Sequence, residues 1–214
     1  MRSHSVVMLV LAFGLCTACE EELPPPPPAK PTVPRPPGSK VVKTPVAYGK
    51  KVPCTTLLPA DKVSAAFGKQ VTVVDRSQTE DDASSICQIK LAGTPPSAKA
   101  QQRMWIKNNR VLGVLPGDEI CQVTAYCSFI YELPEQKKKC ESDGQLVSTE
   151  IGTLTCVKPI QAGSEYRYVV SALDPDSRCR IVVNPGPSVI DEATVKQCAK
   201  AAVDLIGPES LKVP

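Results

Sequence analysis

Apolar and polar positions alternate with a period of two over several stretches beyond Val52, and with a helical period over two others. "QVTVVD" (Gln70–Asp75) and "ICQIKL" (Ile86–Leu91) read as strands. "CQVTAYCSFIYEL" alternates over its whole length. It puts Cys121, Val123, Ala125, Cys127, Phe129, Tyr131 and Leu133 on one face and Gln122, Thr124, Ser128 and Glu132 on the other. That pattern predicts one long strand buried on one side. "GTLTCVKPI", "EYRYVVSALD" and "RCRIVVNP" continue the sheet. "QRMWIKNNRVLGVL" (Gln102–Leu115) reads as a hairpin, with Asn108-Asn109 suited to a left-handed turn.

The helical period appears near both ends. "LPADKVSAAFGK" predicts a short helix with Pro59 in its first turn, Val63, Ala66 and Phe67 on one face, and Gly68 as its cap. "SVIDEATVKQCAKAAVDLIGP" predicts a longer one. Ser188 or Asp191 caps it, Val195, Cys198, Ala202, Leu205 and Ile206 face the core, and Gly207-Pro208 stop it. The expected fold is therefore a single α+β domain over residues 52–214, an antiparallel sheet with a short N-terminal and a longer C-terminal helix.

Cysteine content sharpens this picture. Residues 52–214 hold Cys54, Cys87, Cys121, Cys127, Cys140, Cys156, Cys179 and Cys198, an even set that predicts four disulfides in an exported chain. None of the eight forms C-x2-C or C-x4-C, so no metal site is expected. Cys121 and Cys127 are six residues apart on one predicted strand, ~20 Å at ~3.3 Å per residue, too far to pair with each other. A Cys54–Cys87 bridge would pin the segment entering the first helix to the strand after it. A Cys179–Cys198 bridge would pin the last strand to the last helix. For the other four, the nested set Cys121–Cys156 with Cys127–Cys140 is favoured, because a hairpin brings such positions together. Cys87-Gln88-Ile89, Cys121-Gln122-Val123 and Cys179-Arg180-Ile181 echo one another without constant spacing, as expected of residues filling one inner face rather than of a repeat.

The N-terminus reads as an export signal. Arg2 precedes an uncharged run, Val6–Leu15, and the small residues Thr17-Ala18 follow. As a helix that run would span only ~15 Å of a ~30 Å hydrocarbon core, too short for a permanent membrane span. Cys16-Thr17-Ala18-Cys19 does not suit a redox pair. Glu20-Glu21-Glu22 would raise a thiol's pKa, and the five prolines after Leu23 prevent the helix that a reactive thiolate needs. The stretch instead resembles a bacterial lipobox. Leu15 lies four residues before Cys19 and Ala18 directly before it, although Cys16 stands where leucine is usual. Residues 1–18 are thus expected to be a lipoprotein signal peptide, with Cys19 taking diacylglycerol and acyl chains such as palmitate. Two or more chains at ~0.8 kcal/mol per buried CH₂ would hold the protein on a membrane. Ordinary cleavage giving a soluble secreted protein is the alternative. Residues 19–51 form the anchored N-terminus and a linker. Its segment Leu23–Gly38 carries nine of the 22 prolines and should extend ~50 Å as polyproline II.

"VPCTTLLPADKVSAAFGKQV" followed by "ICQIKL", and the ending "SRCRIVVNPG…VKQCAKAAVDLI", resemble an uncharacterised, mainly actinobacterial group of envelope lipoproteins. The likeness covers the two ends of the domain. It implies an envelope location, this architecture, and bridges Cys54–Cys87 and Cys179–Cys198. It implies no activity and no cofactor, and the middle of the domain with its four extra cysteines departs from the pattern.

Charge and chemistry narrow the function classes. The net charge of +3 is scattered, so no nucleic-acid footprint is present. Lys137-Lys138-Lys139 reads as a solvated loop rather than a docking patch. The single histidine, His4, lies in the signal segment, which removes histidine bases and histidine-dependent nucleophiles from the mature chain. "AGTPPSAKA" lacks a phosphate-loop pattern, and no S-x-x-K is present. "DPDSR" (Asp174–Arg178) fits a turn, and Glu80-Asp81-Asp82 an acidic loop without the rest of a calcium site. Trp105 and Tyr131 suit strand packing better than a cleft. No catalytic, cofactor or metal residues are assigned. The expected function is a non-catalytic binding domain held on the cell-envelope membrane by its lipid, with an envelope protein, lipid or glycan as partner. A histidine-free hydrolase using paired carboxylates is the alternative.

Overall fold

The computed structural model describes residues 46–78, 82–108, 113–163, 165–174 and 176–211. Cys19, the signal segment, the proline-rich linker, Glu80, Asp81 and Asn109 lie outside them. The described residues form a single α+β domain around one seven-stranded antiparallel sheet. Its strands are β1 (Val71–Asp75), β2 (Ser85–Leu91), β3 (Glu119–Tyr126), β4 (Leu146–Ser148), β5 (Leu154–Ala162), β6 (Glu165–Leu173) and β7 (Arg180–Pro185), in the order β1-β2-β3-β7-β6-β5-β4. The last strand thus inserts at the centre, between β3 and β6.

Inward positions of neighbouring strands align in one row. Ile89 faces Cys121, Cys87 faces Val123, Val123 faces Val183, and Val183 faces Val170, all at most 1% exposed. Helix α5 (Glu192–Leu205) closes this row, packing on β3, β6 and β7 through Val195, Cys198, Ala199 and Ala202. Asp191 caps it, accepting from the Thr194 N–H at 2.7 Å. Helix α2 (Ala60–Phe67) ends as expected at Gly68, which takes the left-handed φ of 63°. A single turn, α1 (Cys54–Leu57), precedes it. Asp75 ties that turn to β1, its carboxylate accepting the N–H groups of Cys54 at 3.0 Å and Ser77 at 2.9 Å. Burial raises its pKa, but these bonds and the Ser77 hydroxyl outweigh it and hold the carboxyl below its ordinary value.

Several expectations are corrected. The first half of the segment read as a hairpin belongs instead to helix α3 (Ala98–Lys107), on which Trp105 lies, and residues 109–112 of that segment lie outside the described residues. Ser97 caps the helix, accepting from the Ala100 N–H at 3.3 Å, and the run Ala-Lys-Ala-Gln-Gln-Arg-Met consists of strong helix formers. The long strand stops at Tyr126, and Leu133–Ser142 forms helix α4, with Pro134 in its first turn. Lys137–Lys139 are therefore helical, and Lys137 pairs with Glu141 one turn on at 3.9 Å. The short β4 has no counterpart in the strands read from the sequence. The domain also begins before Val52: Val46 is 2% exposed, and its N–H donates to the Cys127 carbonyl at 3.3 Å.

The disulfides are Cys54–Cys87, Cys121–Cys198, Cys127–Cys179 and Cys140–Cys156. The first is the expected one, and strand order explains why the other three differ. Tyr126 pairs with Arg180, so Cys127 and Cys179 meet where β3 ends and β7 begins. Cys121 pairs with Pro185 at the opposite end of those strands, and there Cys198 of α5 reaches it. A Cys179–Cys198 bridge would have to cross the length of β7. Cys121–Cys156 would have to cross β7 and β6, which separate β3 from β5. Cys140 instead joins α4 to Cys156 beside it, which also removes Cys127–Cys140.

Candidate functional site

The sheet has a second face, and its residues follow from the register. The positions between the inward ones are Gln88, Gln122, Arg180 and Val182, each partly exposed. These include the middle residues of the three C-x-I/V echoes. Helix α4 covers the β4–β5 corner of this face, burying Cys140, Cys156, Leu154 and Leu173 in a small second core with Tyr131 and Val147 against it.

Where β3 ends, the chain gathers four aromatic residues from two segments distant in sequence. Tyr48 and Phe129 meet edge-to-face at 5.8 Å between ring centroids, and Phe129 meets Tyr131 likewise at 6.3 Å. Tyr126, at the end of β3, lies under the Arg180 guanidinium at 5.9 Å. Arg180 is oriented by donating from Nε to the Ser171 Oγ at 3.3 Å, and the Tyr48 hydroxyl donates to Asp82 Oδ1 at 3.2 Å. Burial raises the Tyr131 phenol pKa, and nearby Tyr126 and Asp82 add to this while Arg180 opposes it. The phenol therefore stays neutral well beyond physiological pH.

Much of this apolar surface faces water. Tyr48 is 70% exposed, Phe129 and Ile130 38% each, and Leu133 42%. The backbone beneath is tightly held. The Cys127 N–H donates to Ser84 Oγ at 3.0 Å, Ser84 and Ser128 hydroxyls meet at 3.1 Å, and the Cys127–Cys179 bridge locks the strand ends. A rigid base under exposed rings is the arrangement expected of a binding surface, where ordering costs are already met by the fold.

Beside the rings lies a cavity of about 240 Å³ lined by Tyr131, Glu132, Leu133, Thr153, Asp174 and Arg178, among others. Asp174 is 2% exposed, and burial raises its pKa although Ser177 opposes this by donating both its N–H and its hydroxyl to Oδ2 at 2.5 Å. Those bonds, with Arg178 N–H donating to the Asp174 carbonyl at 3.1 Å, make "DPDSR" the turn read from the sequence. Arg178 sits at φ 57°, the one non-glycine residue with positive φ among the described residues. A larger groove, about 510 Å³, runs beside α5. There Lys196 pairs with Glu150 at 2.7 Å and Glu192 at 2.9 Å, which engages the charges of that wall with one another.

Of the residues singled out in the sequence, Tyr131 stands in the corner and Trp105 on α3. Tyr48 and Phe129 were not singled out. Tyr48 falls in what reads as linker and Phe129 in what reads as buried strand, and only the register bringing Cys127 beside Val46 unites them. Comparison with protein-family models, curated proteins and solved structures finds no match.

Proposed function

We propose that this chain is a membrane-anchored envelope lipoprotein that presents a non-catalytic binding domain on a polyproline spacer, with the aromatic corner as its contact surface. The observation that carries this reading is the cluster of exposed Tyr48, Phe129, Ile130 and Leu133 on a disulfide-locked base. The lipobox-like run ending at Cys19, and the spacer after it, supply the anchor and the reach. The partner is an envelope protein, lipid or glycan that places an apolar group on the rings and polar groups against Arg180 and Asp82. Exposed aromatic anchors contribute ~2 kcal/mol or more when buried in an interface.

Replacing Tyr48 and Phe129 together by Ser is therefore expected to weaken binding by about tenfold or more, with the fold unchanged. The check is capture of separated envelope protein, lipid and glycan fractions by tethered, oxidised protein, wild type against variant, with circular dichroism as the fold control. Equal capture by both proteins would reject the corner as the contact surface. A second reading, a carboxylate-pair hydrolase, draws on one observation: Glu132 and Asp174 line the same cavity. Time-dependent glycan cleavage that Glu132→Gln abolishes would favour it over the binding module.

A further inference from the structure

The cavity beside the aromatic corner carries polar groups that the fold leaves open. Asp174 is engaged, its Oδ2 accepting both the N–H and the hydroxyl of Ser177 at 2.5 Å. Glu132 and Arg178 are not. Both are exposed, and neither the Glu132 carboxylate nor the Arg178 guanidinium has a hydrogen-bond or ion-pair partner among the described residues. They line one cavity without pairing with each other. Thr153 donates its hydroxyl to the Leu173 carbonyl at 3.1 Å, which leaves its oxygen as an acceptor. The wall therefore joins open donors on Arg178 to open acceptors on Glu132 and Thr153. Tyr131 belongs both to this wall and to the row of rings outside it.

That lining discriminates among ligands. An acyl chain would bury the Glu132 and Arg178 charges without partners. A phosphate or an acidic sugar would face the carboxylates of Glu132 and Asp174. A lysine or arginine side chain brings donors only and would set a like charge beside Arg178. Hydroxyls both donate and accept, so a neutral sugar ring can satisfy Arg178 and Glu132 together, with its C–H face against Tyr131. The volume, about 240 Å³, is below the ~300–1,000 Å³ of sites for drug-sized ligands and suits one ring-sized unit.

We propose that this cavity is a subsite for one ring of a neutral glycan, whose next units run out over Phe129 and Tyr48. This rests on the corner as the contact surface and narrows its partner to a glycan.

The test titrates full-length oxidised protein with short neutral hexose and pentose oligosaccharides, a hexuronate oligosaccharide and tetralysine, read by calorimetry and saturation-transfer NMR. At least one neutral oligosaccharide is expected to bind. Arg178→Met and Glu132→Met, which keep side-chain length and remove the polar end, should each weaken that binding about tenfold with circular dichroism unchanged. Either variant serves as the test if the other loses the native spectrum. Three results would each overturn the proposal: no binding of any neutral oligosaccharide, tighter binding of the hexuronate or of tetralysine, or neutral binding unchanged in a folded variant. Tyr48→Ser/Phe129→Ser separates this inference from the reading beneath it. If that variant loses capture of envelope protein or lipid while wild type binds no neutral oligosaccharide, the glycan subsite alone is overturned. Oligosaccharide binding that it leaves intact, yet Arg178→Met weakens, overturns the corner alone.

Discussion

Gly186→Ala is expected to destabilise the fold severely. Gly186 follows β7, where the chain runs close against the start of β3, and its N–H donates to the Ile120 carbonyl at 2.8 Å. A Cβ there would lie 1.8 Å from the Glu119 carbonyl oxygen and 2.5 Å from its carbon. Backbone offers no flexible end to move aside, so the strand pair at the centre of the sheet must separate. A loss of about 4 kcal/mol or more is expected, against a usual total of about 5–15. Gly207→Ala is the control: nothing lies within 4 Å of its added Cβ. It should change stability by about 0.5 kcal/mol or less. Urea denaturation of both proteins checks this, and a Gly186→Ala protein of near wild-type stability would refute the close approach of Gly186 to the β3 backbone.

The second large effect belongs to the Cys121–Cys198 bridge. It closes a loop with a sequence separation of 77 and clamps α5 to the central strand, with both cysteines fully buried. Loop entropy alone gives about 4.5 kcal/mol for such a span and about 3 kcal/mol for the 16-residue separation of Cys140–Cys156. Cys121→Ala/Cys198→Ala should therefore be the more damaging pair, and repacking two buried sulfurs adds to its cost. Cys140→Ala/Cys156→Ala loosens α4 at the rim. Denaturation midpoints of the two variants decide the order, and a larger loss for the rim pair would mean that α5 is held by packing alone.

Much of this fold is legible in the sequence because local signals agree with tertiary packing. Alternation over Val71–Asp75, Ser85–Leu91 and Arg180–Pro185 marks real strands, and Gly68 and Asp191 cap real helices. Legibility fails where a local pattern points both ways. Met104-Trp105-Ile106 reads as strand by bulk, yet the polar helix formers before it and the Ser97 cap decide for a helix. Phe129, Tyr131 and Leu133 continue the alternation of β3 after the strand has ended, so residues read as core line an exposed corner instead. Disulfide partners depend on strand order. Inserting β7 beside β3 brings Cys179 to Cys127, and no spacing along the chain encodes that insertion. Tyr48 joins the site for the same reason, carried there by Val46 packing against the end of β3.

The most direct measurement of the proposed envelope anchor, together with the four bridges, is the intact mass of native protein from membranes, before and after reduction and alkylation. The expected result is a chain beginning at Cys19 with acyl mass added, taking up eight alkyl groups only after reduction. An unacylated chain would contradict the anchor, and alkylation of unreduced protein would contradict the four bridges.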